Sequence, residues 1–115
     1  MGQGRSIARY RNDFEMVIRS TKELEWLLET HFGAPASKDC GLHDKITAAR
    51  FKGQPLSPSL ERSMRRLVTV RNKLVHDRDF NALDDRPAFA RDFDEVEQEL
   101  QTLLRDNKGE GCVIS

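Results

Sequence analysis

Arg71, Asn72 and His76 are the residues of this chain best suited to chemistry. They lie in the run Val70-Arg71-Asn72-Lys73-Leu74-Val75-His76. A guanidinium is a permanent cation that forks onto a phosphate through parallel hydrogen bonds. An imidazole is the side chain best suited to move protons near neutral pH. Together they can bind and cut a phosphodiester. Lys73, inside this run, and Arg65, five residues before it, are the candidate RNA-phosphate contacts. No phosphate-cradling glycine loop, Ser/His/Asp arrangement or metal-ligand spacing accompanies them, so neither cofactor nor metal is expected. Asp92, Asp94, Glu95, Glu97 and Glu99 read as the solvated face of a helix, not as a metal cluster.

The elements that must position these residues are helical. All four prolines and all seven glycines lie outside the long periodic segments or at their starts. The pattern predicts a first helix from Ser6, its N-cap, to Phe32, closed by Gly33 and Pro35. Its apolar face is expected to carry Tyr10, Phe14, Val17, Ile18, Thr21, Leu24, Leu28 and Phe32. Met16 and Leu27, with Trp26 at the flank, project elsewhere and hint at a partner surface. A short second helix spans Leu42 to Phe51. A third starts at Ser57 or Pro58 and runs to His76, with Ser57 as cap and Pro58 in the favoured first position. The fourth is capped by Asp84 or Asp85 and carries the stripe Phe89, Phe93, Val96, Leu100, Leu103 and Leu104. The reading is an all-α fold of about four helices, one domain over residues 1–106, with a disordered tail over 107–115.

Projection of the third helix at about 100° per residue separates the motif. Leu60, Met64, Leu67, Leu74 and Val75 cluster in one direction, and Arg71 falls near the centre of that cluster. Asn72 and His76 stand one above the other on an edge shared with Arg65. A charge inside an apolar stripe needs a partner. One expectation gives Arg71 an acid such as Glu15, Glu25 or a residue of the fourth helix. The other places it at a seam between two copies of the helix, in reach of a phosphate. Arg71 and His76 are about 140° apart on a regular helix. They converge only through long side chains, a helix break or a second subunit.

Composition sets the outer limits. Of 115 residues, 33% are charged and 37% hydrophobic, which suits a small helical protein with wide polar faces. No apolar run is long enough to span a membrane, no secretory signal is visible, and the chain reads as cytoplasmic. Cys40 and Cys112 read as free thiols. The net charge of zero argues against strong nonspecific nucleic-acid binding. Its distribution is uneven: Ser57–His76 carries five basic residues to one acid, and Asp77–Glu99 nine acids to three bases. Two complementary helix faces account for this, as does a basic strip for RNA partly shielded by acids. The starting Met1-Gly2-Gln3-Gly4-Arg5-Ser6 fits a myristoylation pattern and Cys112-Val113-Ile114-Ser115 a prenylation box. No polybasic segment supports either, so a membrane partner is not expected.

The motif resembles the HEPN superfamily (higher eukaryotes and prokaryotes nucleotide-binding domains), which is recognised by an Arg, four to six residues, then a His. Arg71-Asn72-Lys73-Leu74-Val75-His76 matches the four-residue form, with Asn72 as the polar residue after the Arg. Gly41-Leu42-His43-Asp44-Lys45-Ile46, a Pro-containing loop and Leu67-Val68-Thr69-Val70 also look like the family's context, so the resemblance covers about Ile7 to Leu104. It implies a helical bundle and a homodimer in which two motifs meet. For active members it implies a metal-independent endoribonuclease of toxin or defence type. His76 would then be general base or acid and Arg71 would stabilise the phosphate. Asn72 would orient the His or touch the phosphate. A toxin branch, paired with an antitoxin, carries a Tyr two residues after the His; here Arg78 stands there, a departure from that pattern. Other members are noncatalytic dimerisation or ligand-binding modules, the alternative expectation.

Overall fold

The computed structural model describes residues 12–80, 82–83 and 85–114, with side chains through residue 106. It is mostly helical, with four helices among the described residues: α1 (Asp13–His31), α2 (Leu42–Ala48), α3 (Pro58–His76) and α4 (Arg86–Ile114). Between α2 and α3 lies a two-residue hairpin, β1 (Arg50–Phe51) with β2 (Gln54–Pro55), paired antiparallel with Arg50 opposite Pro55. Its turn, Lys52-Gly53, has positive φ at both residues (53° and 79°), the geometry that lets a two-residue turn follow the strand twist. The second helix therefore stops at Ala48, short of the Phe51 expected from the sequence.

Local chemistry explains the helix boundaries. Asn12 caps α1 from an extended backbone, its Oδ1 accepting from the Glu15 N–H at 2.9 Å. The described helix thus begins at Asp13 and not at Ser6. Ser6, Tyr10 and Gly2 lie outside the described residues. Gly33, at φ 73°, ends α1 in the left-handed conformation that lacks a Cβ penalty. Ser57 Oγ accepts from Leu60 N–H at 3.2 Å, and Pro58 opens α3 as expected. Asp85 Oδ1 accepts from Ala88 N–H at 3.0 Å at the start of α4; Asp84 lies outside the described residues. The α4 backbone is helical through residue 114. The Cys112 side chain is outside the described set, and Cys40 is a half-buried free thiol.

One core joins the four helices. Val17, Leu24 and Leu28 of α1 pack there with Ile46 of α2, Leu60, Met64 and Leu67 of α3, and Phe93 and Leu100 of α4. Met16 and Leu27 belong to this core, at 0% and 1% exposure, which corrects their reading as a partner surface. The reason is that α1 contacts all three other helices. Its buried arc therefore reaches from Met16 and Leu27 round to Thr21, and spans about 140° at regular helical pitch. Phe14, expected inside, is 51% exposed, and Trp26 is 52% exposed.

Candidate functional site

Helix α3 presents the motif in its last two turns. Arg71 is half-buried on the apolar stripe formed by Leu60, Met64, Leu67 and Leu74. Val68 joins that stripe, and Val75, expected within it, is 40% exposed. Arg71 Nη1 donates to Asn72 Oδ1 at 3.0 Å. Among the described residues no carboxylate forms an ion pair with it. The acids proposed from sequence are engaged elsewhere: Glu15 with Arg19 at 3.0 Å, and Glu25 with Lys45. Asn72 is therefore spent on the arginine, which leaves its amide nitrogen as a donor. His76 is exposed at the end of the helix, and Arg71 hydrogen-bonds to Asn72 and not to His76.

The end of the bundle that carries the motif is fixed by Asp13. Its carboxylate accepts the Leu83 N–H at 2.9 Å and pairs with Arg86. The segment following α3 is thereby tied to the first turn of α1, so α1 and α3 run antiparallel and Phe14 and Val75 fall at the same end. The Leu83 N–H is the main cause of a lowered Asp13 pKa; burial opposes it and the Arg86 guanidinium adds to it. At the other end, Lys45 is buried and donates to Glu25 and Glu29 at 2.5 Å each. Burial works against the charge on Lys45, but the two glutamates outweigh it and hold the pKa above the ordinary lysine value.

The two cations assigned to RNA have different surroundings. Arg65 braces α3 against α2: its guanidinium lies 3.2 Å from His43 Nδ1 and donates to Thr47 Oγ1 at 2.6 Å. It is half-buried and committed to the fold. Lys73 is exposed, with Nζ 6.0 Å from the Phe80 ring centroid. Two further cations outside the expected set, Arg62 and Arg66, are exposed on the outer face of α3. The excess of bases in this segment was the available signal, but assigning these two required knowing which side of α3 is covered by α2. Among the described residues no three metal-ligating side chains group together, and no helix is long and apolar enough to cross a membrane.

No family model, curated protein or solved structure matches this chain.

Proposed function

We propose that the chain is a HEPN-like, metal-independent endoribonuclease of toxin or defence type, acting in the cytoplasm as a homodimer. The observation that carries this reading is the state of Arg71. A half-buried guanidinium in the centre of an apolar stripe holds only an amide oxygen and no counter-ion among the described residues. A partly buried cation without a counter-ion favours a nearby anion, and a phosphate supplies one with bidentate geometry. The exposed Phe14 and Val75 at the same end are apolar surface for a second copy to cover. That copy would bring a second Arg71-Asn72-His76 to the seam and compensate for the angular separation within one helix.

In this mechanism the RNA 2′-hydroxyl attacks its own neighbouring phosphorus. The 2′-oxygen–phosphorus bond forms, the bond to the 5′-oxygen breaks, and the products are a 2′,3′-cyclic phosphate and a 5′-hydroxyl. His76 takes the 2′-proton or returns one to the leaving oxygen. Arg71 holds the charge that develops on the phosphoryl oxygens, and the Asn72 amide adds a donor beside it. DNA, without the 2′-hydroxyl, is not cut. The test is single-stranded RNA in EDTA, beside an otherwise identical strand with 2′-deoxy sugars. Cleavage of the first alone is expected; cleavage of both would exclude the internal nucleophile. The second reading, a noncatalytic dimerisation module, is favoured by the exposed apolar pair alone, and inactivity on diverse RNAs would select it.

A further inference from the structure

A cleft of about 240 Å³ opens between α3, the segment after it and α4. Its floor is apolar, formed by Val70, Phe80 and Phe89, and two exposed cations, Arg66 and Lys73, stand at its rim. It is smaller than the roughly 300–1,000 Å³ pockets that enclose drug-sized ligands, and suits a single flat ring system. Two acids also line it. Asp85 is committed to capping α4 through Ala88 N–H. Asp92 forms a loose ion pair with Arg66, Oδ2 to Nε 3.9 Å, with no hydrogen bond between them, and its side chain is 31% exposed, so its carboxylate keeps room to accept from a ligand.

We propose that this cleft receives one base of single-stranded RNA, with Asp92 accepting a hydrogen bond from an exocyclic amine and Arg66 and Lys73 holding the flanking phosphates. The inference rests on the nuclease reading only for its purpose; the binding itself is independent of cleavage. Each part follows from the chemistry of the cleft. A base buries its faces against apolar and aromatic side chains such as Phe80. The charges at the rim match the two phosphates that any internal base carries. A carboxylate accepts from the amino group of cytosine but repels the carbonyl that uracil has in its place. Lys73 precedes His76 by three residues, and side chains so spaced on a helix have Cβ atoms about 5–6 Å apart. The occupied cleft would therefore set which nucleotide lies next to the phosphate that is cut, and give the enzyme a base preference.

The experiment measures binding of short fluorescent oligo-cytidine and oligo-uridine to full-length protein carrying His76→Ala, so that the strands stay intact. Oligo-cytidine is expected to bind about tenfold tighter or more, the usual worth of one base contact. Asp92→Asn, which keeps the side chain's size, is expected to abolish that preference. Ala88→Leu, which fills the cleft, is expected to weaken both strands. Equal binding of the two strands, or a preference that survives Asp92→Asn, overturns the proposal, as does RNA that leaves the Val70 and Phe89 resonances unmoved. The two readings fail separately. A wild type that never cuts RNA but prefers oligo-cytidine through Asp92 retains the cleft and loses the nuclease. His76-dependent cleavage with no base preference does the reverse.

Discussion

Replacing Lys45 by Met tests how α2 is held to α1. Lys45 keeps 3% of its side-chain exposure and donates to both Glu25 and Glu29. Methionine preserves the length and most of the volume, so the change removes charge more than packing. Removing one partner of a buried pair typically costs about 3–5 kcal/mol. The stranded glutamates here retain 40% and 26% exposure, and water recovers part of that, so about 2 kcal/mol is expected. Glu25→Gln with Glu29→Gln strands the ammonium instead, in a site with almost no water, and is expected to cost about 3–5 kcal/mol. All three changes together leave no unpaired charge and should return to within about 1 kcal/mol of the wild type. Urea unfolding followed by circular dichroism reads all four proteins. The raised Lys45 pKa fixes the pH range: its contribution is complete below the ordinary lysine value and is lost as pH climbs through the higher folded one. The wild-type advantage over Lys45→Met should thus hold across neutral pH and shrink only in strong alkali. A cost below about 0.5 kcal/mol for Lys45→Met, or a milder loss for the double glutamine variant, would refute this reasoning.

Asp13→Asn should cost about 1–3 kcal/mol near neutrality, because the carboxylate serves both Leu83 and Arg86. Since the folded pKa is depressed, that contribution is present above the ordinary aspartate value and is lost as pH falls through the folded one. Thermal melts of wild type and variant should converge in strong acid, and a gap that persists there contradicts the assignment. Asn12→Ala and Ser57→Ala each remove a helix cap and should lower stability by about 1 kcal/mol; no change in urea midpoint would deny the caps. Arg65→Gln should loosen α2 and lower the melting temperature, while its affinity for RNA falls less than that of Lys73→Gln; the opposite order would make Arg65 the stronger RNA contact.

The helices that carry the motif were legible because their signals are local. Ser57, Pro58 and the apolar period of α3 act within the helix, and its span from Pro58 to His76 follows from them. The same holds for the α4 stripe through Leu100. Other features depended on neighbours. Met16 and Leu27 are buried because α2, α3 and α4 all lean on α1, and a one-sided helical projection has no room for that. Glu25 was a candidate partner for Arg71, but Lys45, twenty residues away, takes it. Arg65 and Arg66 look alike in sequence; only the position of α2 makes one a brace and leaves the other at the rim of a cleft. The hairpin after α2 rests on two positive-φ residues, of which Gly53 was a visible cue and Lys52 was not.

Whether Arg71 and His76 cut RNA without a metal is decided by a cleavage time course. End-labelled single-stranded RNA is followed over time in EDTA with the wild type, Arg71→Ala and His76→Ala, after each variant is shown to melt cooperatively. Wild-type cleavage to 2′,3′-cyclic phosphate ends is expected, with a loss of about a hundredfold or more in each variant, the usual worth of a general acid–base group or a charge-stabilising donor. Cleavage that persists at wild-type rate in both variants would contradict it.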